Sequence, residues 1–230
     1  MKDMNNMNGI TNTVLITSLN TLFDEKLAAA FVRESFRVFA LSDKADNTIQ
    51  NITLLPLDPN KAAAELKEKT DKLDFLIDTT DFRAAEDTFT LHDGIDANII
   101  EQVYRKNMMH PMALLEAFLP FLDKGEGKRL FYLTSAEASI NETRAVNHFG
   151  YNMSKAALHQ FIQMTRNKLG PKGYTFRIFD PMVEDISPEA AAEGAYIYIT
   201  RRRGTENNNP LRDDEDNLVF RDAEGRQHAW

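Results

Sequence analysis

Short apolar runs rich in β-branched and aromatic residues alternate along the chain with longer segments of helical periodicity. The run Thr13–Thr17 (TVLIT) is typical of a buried strand, and Leu27, Ala30 and Phe31 recur at helical spacing in the segment that follows. The whole pattern predicts strands at residues 13–17, 36–41, 52–57, 74–78, 129–134, 174–179 and 218–221, and helices at residues 24–35, 61–71, 95–123, 151–169 and 188–200.

This alternation of strands and helices predicts an α/β fold. Successive βαβ units build a parallel sheet, and their helices cover both of its faces. We therefore expect a doubly wound parallel sheet, that is, a Rossmann-like, three-layer α/β/α architecture. A chain of 230 residues fits one such domain spanning residues 1–230, with a flexible leader at 1–12 and an exposed polar loop at 201–217.

Composition narrows the classes of function. The formal net charge of −8 disfavours nucleic acid as a partner, because the phosphate backbone attracts positive charge. The absence of cysteine excludes disulfides, thiolate metal sites and a cysteine nucleophile, and the five histidines lack metal-ligand spacing. No apolar run approaches the roughly 20 residues that span a bilayer, so we expect a cytoplasmic protein without a membrane partner.

The residues that follow the predicted strands are the candidates for chemistry, since a parallel sheet binds ligands beyond the carboxyl ends of its strands. Ser135 follows the fifth strand, and Tyr151 and Lys155 lie four residues apart on one face of the next helix. An ammonium beside a phenol stabilises the phenolate, so we expect Lys155 to lower the pKa of Tyr151 from its usual value of about 10. The pair indicates proton transfer to a carbonyl or alcohol oxygen, although the same spacing also occurs on ordinary exposed helices.

Two segments of the chain resemble the short-chain dehydrogenase/reductase family. YNMSKAAL (residues 151–158) is similar to the family's Tyr-x-x-Ser-Lys-x-Ala segment, and FYLTSAEA (residues 131–138) resembles the strand end that carries its catalytic serine. The resemblance extends from residue 13 to residue 230. It implies an NAD(P)-dependent oxidoreductase that interconverts a carbonyl and an alcohol, with the catalytic residues Asn107, Ser135, Tyr151 and Lys155.

The resemblance also implies a role for each catalytic residue. Tyr151 would protonate the oxygen of a ketone as hydride arrives, and Ser135 would steady that oxygen. Lys155 would lower the pKa of Tyr151 and hold the nicotinamide ribose. Asn107 would anchor a water that links Lys155 to solvent.

NAD or NADP is the cofactor that the resemblance implies. The implied cofactor-binding residues are Thr17, Asp58 at the adenine, Tyr151, Lys155 and Pro181. Asp43, after the second strand, weakly favours NAD because a carboxylate repels a 2′-phosphate. The family builds a dimer interface with the long helix, so we expect a homodimer or homotetramer, and we expect Trp230 to pack at the sheet edge or a subunit interface.

The cofactor loop departs from the family pattern. The family has Thr-Gly-x-x-x-Gly-x-Gly where this chain has TSLNTLFD (residues 17–24), so Ser18, Leu22 and Asp24 replace the glycines. Asp24 brings a carboxylate to a phosphate-binding position, unless its main role is to cap the helix. DTTD (residues 78–81) replaces the family's Asn-Asn-Ala-Gly, so two more carboxylates, Asp78 and Asp81, lie near the cofactor crevice. Two hypotheses remain: an oxidoreductase, or a non-catalytic scaffold or regulatory binder that has lost dinucleotide binding.

Overall fold

The predicted apolar runs form seven strands of an eight-stranded sheet. The computed structural model describes residues 12–43, 49–182, 185–201 and 217–230. The strand order is β3-β2-β1-β4-β5-β6-β7-β8, and each neighbouring pair is parallel except β7 with β8. The strands are β1 (Thr13–Ile16), β2 (Arg37–Leu41), β3 (Ile52–Leu55), β4 (Phe75–Asp78), β5 (Arg129–Leu133), β6 (Thr175–Asp180), β7 (Phe220–Asp222) and β8 (Gln227–His228). The order reverses between β1 and β4, where a sheet of this kind opens a crevice for a ligand.

Helices cover both faces of the sheet. They are α1 (Leu22–Arg33), α2 (Pro59–Lys67), α3 (Ala97–Tyr104), α4 (His110–Leu122), α5 (Phe149–Leu169) and α6 (Pro188–Thr200). Leu15 belongs to a core formed with α2, α4 and α5, whereas Val14 and Ile16 belong to a core formed with α1 and α6. Successive residues of β1 therefore supply opposite faces, as the pleat of a strand requires. The prediction of a doubly wound, three-layer α/β/α fold is confirmed.

Four of the five predicted helices differ from their predicted bounds. α2 spans Pro59–Lys67 instead of residues 61–71, and α5 begins at Phe149 instead of Tyr151. α1 begins at Leu22 with Thr21 as its N-cap, so the predicted start at Asp24 is too late. The helix predicted at residues 95–123 is interrupted by a π-turn, Arg105–Met109, that separates α3 from α4. Pro111 has no N–H to donate to the carbonyl four residues before it, so the regular ladder is broken at this point.

The chain ends in a feature that the pattern did not predict. β8 pairs antiparallel with β7, but it has two residues, too few to show an alternation of apolar and polar positions. After β8, the ring of Trp230 lies edge-on to His159 at 5.1 Å and 6.5 Å from Phe220 in β7. This position confirms the prediction that Trp230 packs at the sheet edge.

Two predicted segments, the leader at 1–12 and the polar loop at 201–217, lie almost wholly outside the described residues. Of the helices that the structure describes, none combines the length and the apolar character needed to cross a membrane.

Candidate functional site

A cavity of about 640 Å³ opens at the carboxyl ends of β1 and β4, where the strand order reverses. One wall is the loop between β1 and α1, and another is the four residues that follow β4, here called the Thr79–Phe82 segment. Thr17 and Pro181 line the cavity, as the resemblance implies for cofactor-binding residues. The position at the topological switch point makes this cavity the candidate ligand site.

The side chains of Thr17 and Asp58 are both hydrogen-bonded to other groups of the protein. The Thr17 hydroxyl donates to Asp78 Oδ1 at 3.1 Å and accepts from the Thr79 N–H at 3.2 Å. Asp58 is exposed and does not line the cavity; its carboxylate caps α2 by accepting from the Lys61 N–H at 2.9 Å. The carboxylate caps the helix that begins next to it, and the adenine contact of Asp58 stays a prediction.

Asp24 closes the β1–α1 loop on itself. Its carboxylate accepts hydrogen bonds from the backbone N–H groups of Asn20 at 3.1 Å and Thr21 at 3.0 Å, and from the Ser18 hydroxyl at 2.9 Å. Thr21 Oγ1 in turn accepts from the Asp24 N–H, which completes a capping box. Burial raises the pKa of the Asp24 carboxyl, and the hydrogen bond from the Thr21 backbone opposes that rise. Donors that would meet a phosphate at this helix N-terminus are therefore already bonded to an internal anion.

Helix α5 carries Tyr151 and Lys155 into the protein from a tightly capped first turn. Asp87 accepts from the N–H of Gly150 at 3.2 Å and from the N–H of Tyr151 at 2.8 Å. Gly150 allows a close approach here, because a Cβ would lie 3.0 Å from Asp87 Oδ2 and 3.3 Å from the Ile100 Cα, and these neighbours would have to move to admit it. Sequence reasoning missed Asp87, since it lies in no strand end and far from α5 along the chain.

Asp81 contacts both members of the Tyr151–Lys155 pair. The Tyr151 hydroxyl donates to Asp81 Oδ1 at 2.8 Å, and Lys155 Nζ lies 3.1 Å from the same oxygen. Burial favours a raised pKa for Asp81, but the Lys155 charge and the Tyr151 hydrogen bond hold that pKa below its usual value, so Asp81 is a carboxylate at neutral pH.

The same contact overturns one prediction about Tyr151. Burial, followed by the Asp81 charge, raises the pKa of Tyr151 well above its usual value. The prediction that Lys155 lowers this pKa is wrong for the arrangement described, because the Asp81 carboxylate neutralises the ammonium and penalises a second negative charge on Tyr151.

Lys155 is completely buried and bonded to protein groups alone. Its ammonium donates to the Thr80 carbonyl at 2.7 Å and to the Leu133 carbonyl at 3.1 Å, in addition to its contact with Asp81. An ammonium has three N–H donors, so these three partners use all of them. The predicted hold of Lys155 on a ribose requires one of these partners to leave.

Asn107, another of the predicted catalytic residues, is hydrogen-bonded to the backbone of the Thr79–Phe82 segment. Its Oδ1 accepts from the Phe82 N–H at 2.8 Å, and its Nδ2 donates to the Phe82 carbonyl at 2.8 Å and to Ser154 Oγ at 3.1 Å. Its side chain therefore holds backbone in place in this structure. The π-turn brings it there, since Asn107 is the buried residue of that turn.

Ser135 shares no described hydrogen bond with Asn107, Tyr151 or Lys155. It follows β5, is 8% exposed, and its hydroxyl oxygen accepts from the Glu137 N–H at 3.2 Å. The structure thus brings Asn107, Tyr151 and Lys155 together on the Thr79–Phe82 segment, whereas the described bonds of Ser135 do not reach that segment.

Arg83 is a second residue that sequence reasoning missed. Its guanidinium lies 3.8 Å from the centre of the Tyr151 ring and 3.3 Å from a carboxylate oxygen of Glu137. Arg83 therefore brings a further positive charge to the phenol. The available signal was the position of Arg83 in the stretch that follows β4, two residues after Asp81.

Three basic side chains form a further wall of the cavity: Arg105, Lys106 and His110. The π-turn brings the backbones of Arg105 and His110 together, because the His110 N–H donates to the Arg105 carbonyl. Arg105 is paired with Glu101 at 2.7 Å, and Lys106 Nζ lies 4.8 Å from the centre of the Phe82 ring. This basic wall offers the positive charge that the β1–α1 loop lacks.

Known proteins share this fold. No family model matches the chain. The chain is 26% identical over 176 residues to an uncharacterized oxidoreductase of Schizosaccharomyces pombe, an alignment that covers 69% of this chain and 68% of that protein. Carbonyl reductase Sniffer of D. melanogaster is similar with a TM-score of 0.79 at 17% identity, over 96% of this chain and all of that chain. An NADPH-bound carbonyl reductase from chicken fatty liver is similar with a TM-score of 0.78 at 19% identity, over 96% of this chain and 94% of that one.

Proposed function

Because the chain has the short-chain dehydrogenase/reductase fold, we propose that it is an NAD(P)-dependent oxidoreductase that interconverts a carbonyl and an alcohol. The observation that carries the proposal is the Tyr151–Lys155 pair, which lies one helical turn apart on α5, directly behind the segment that lines a 640 Å³ cavity. The names of similar proteins agree with it, since two are carbonyl reductases and one is an oxidoreductase.

The cavity suits a dinucleotide on one wall and not on the other. At the β1–α1 loop, Asp24 already uses the donors that a pyrophosphate needs. On the basic wall, Arg105 and Lys106 would hold the phosphates through their charge, and His110 would add a hydrogen-bond donor. Asp43 is exposed after β2, and its carboxylate favours NAD because it would repel a 2′-phosphate.

The chain's own residues manage the proton. A bound nicotinamide dinucleotide supplies or accepts the hydride. In the direction of reduction, Tyr151 donates its hydroxyl proton to the carbonyl oxygen, and the Ser135 hydroxyl steadies that oxygen. The raised pKa keeps Tyr151 protonated at neutral pH, so its hydroxyl holds the proton that the carbonyl oxygen receives.

The proposal is tested by binding first and turnover second. NADH and NADPH are titrated by fluorescence. Oxidation of the nucleotide that binds is then followed in the presence of a panel of aldehydes and ketones. Tyr151→Phe is expected to reduce turnover by about 10²-fold or more while cofactor affinity changes less than about threefold, because the substitution removes the proton and keeps the ring. Tyr104→Phe on α3 is the matched control, since Tyr104 does not line the cavity.

A second candidate function is supported by a specific observation. Leu22, Phe23 and Asp24 all line the cavity where the family would place glycines and phosphates. This arrangement favours a non-catalytic scaffold or regulatory binder that kept the fold and lost the dinucleotide. Folded protein that binds neither NADH nor NADPH at millimolar concentration would reject the oxidoreductase proposal and support this one.

A further inference from the structure

The Thr79–Phe82 segment is fastened by the very side chains that the proposed chemistry needs. Lys155 bonds the Thr80 carbonyl, Tyr151 and Lys155 bond the Asp81 carboxylate, and Asn107 bonds both backbone groups of Phe82. These bonds connect three residues distant in sequence to one four-residue stretch. The segment is therefore clamped at every position after Thr79.

The clamped segment separates the catalytic pair from the cavity. Each of its four residues lines the cavity, whereas neither member of the Tyr151–Lys155 pair does. Tyr151 is 1% exposed and Lys155 is fully buried, but the Asp81 side chain is 27% exposed. A ligand that enters the cavity consequently meets Asp81 before it meets the pair.

Asp81 also occupies the bonds that a ligand oxygen would make. A carbonyl or hydroxyl oxygen that reacts at Tyr151 must accept the hydroxyl proton, and in this structure Asp81 Oδ1 accepts it at 2.8 Å. The Lys155 ammonium has no donor to spare while Thr80, Leu133 and Asp81 hold it. Ligand and carboxylate cannot hold these donors at the same time.

We propose that Asp81 is the resident ligand of the Tyr151–Lys155 pair, and that the Thr79–Phe82 segment is a gate that withdraws when a ligand oxygen replaces the Asp81 carboxylate. This inference rests on the proposed function and describes how access to its site is regulated. The residue that controls access is Asp81, which acts through Tyr151 and Lys155 and takes no part in the reaction itself. A ligand that offers an anionic oxygen replaces Asp81 most easily, because the buried ammonium then keeps a counter-charge.

The test compares Asp81→Ala with Asp93→Ala, which removes one carboxylate from an exposed turn outside the cavity. Backbone hydrogen exchange and NADH affinity are measured for both variants and for the unchanged protein. Asp81→Ala is expected to speed exchange at residues 79–82 at least tenfold and to tighten NADH binding at least tenfold, whereas Asp93→Ala changes neither. Asp81→Asn is measured beside it, because it keeps the side-chain shape if the alanine variant does not fold.

Sodium acetate provides a readout that does not depend on the cofactor. In Asp81→Ala, acetate is expected to raise the melting temperature and to slow exchange at residues 79–82, relative to sodium chloride at equal ionic strength, because it refills the carboxylate position. If exchange loosens and acetate reverses it while no protein binds NADH, the gate stands and the proposed function fails. If exchange at residues 79–82 and the response to acetate equal those of Asp93→Ala, the gate is wrong.

Discussion

Asp24 shows how one side chain can stabilise a helix and weaken a ligand site at the same time. As the third residue of α1 it completes a capping box with Thr21, an arrangement that stabilises helices by about 1 kcal/mol. The same carboxylate occupies the Asn20 and Thr21 N–H groups that face the cavity. Two negative charges about 4 Å apart repel by about 4 kcal/mol at an effective dielectric constant of about 20, so a phosphate cannot share this position.

We therefore predict opposite effects of Asp24→Ala on stability and on anion binding. The free energy of unfolding, measured by urea denaturation, is expected to fall by about 1 kcal/mol because the cap is lost. Affinity for inorganic pyrophosphate and for NADH, measured by calorimetry, is expected to rise at least tenfold because the loop donors are freed. Glu25→Ala is the control, since it removes the same charge from the neighbouring position of α1; a pyrophosphate affinity in Asp24→Ala no higher than in this control would contradict the prediction.

At the scale of elements, strands β1 to β7 could be predicted because a buried strand is a short run rich in apolar residues. β5 is buried along its whole length, and its sequence RLFYL is an apolar run bounded by polar turns. The π-turn could not be predicted, because apolar periodicity continues across it and the effect of Pro111 on the ladder depends on the helix already being formed. The pattern did indicate carboxylates near the crevice, but the bonds of Asp81 depend on how the segment after β4 folds across α5, which no local pattern specifies.

The packing of α5 against the end of β5 predicts a pH dependence of stability. His159 on α5 is buried, and its Nε2 lies 2.7 Å from the Thr134 hydroxyl after β5. Burial, with a smaller contribution from the Lys155 charge, lowers the pKa of His159 to about 4 from its usual value of about 6.5. The unfolded chain therefore binds a proton more readily than the folded one between these two values, so this contribution to stability is present above pH 6.5 and is lost as the pH falls towards about 4.

This depression of the pKa accounts for a loss of about 2 kcal/mol in the free energy of unfolding between pH 7.5 and pH 5. We predict that His159→Gln reduces the pH-dependent loss by about that amount, as measured by urea denaturation at the two pH values. His92→Gln, at an exposed position in a turn, should retain the full loss. Equal pH slopes for His159→Gln and the unchanged protein would show that His159 is not buried in its neutral form.

At the scale of the whole molecule, two internal carboxylates share one cavity. Asp24 uses donors of the β1–α1 loop at one wall, and Asp81 uses the donors of Tyr151 and Lys155 at another. The fold is kept because both carboxylates are satisfied by hydrogen bonds and their cost of burial is offset locally. Access of a ligand therefore depends on displacing charges that the chain itself supplies.

The outer faces of α4 and α5 carry the last prediction, which concerns association. Leu115 and Phe118 of α4 are buried in the core, but Met112 on the same helix is 42% exposed and Met164 on α5 is 62% exposed. An exposed apolar face of this kind is buried when copies associate.

We predict that light scattering coupled to gel filtration gives a mass two or four times 26.2 kDa, as expected for a homodimer or homotetramer. Met112→Glu and Met164→Glu are each expected to shift the mass towards 26.2 kDa, whereas Ile140→Glu, at an 81% exposed position outside these helices, is expected not to. A mass of 26.2 kDa for the unchanged protein at every concentration tested would reject the predicted association, and equal masses for all three variants would place the interface elsewhere.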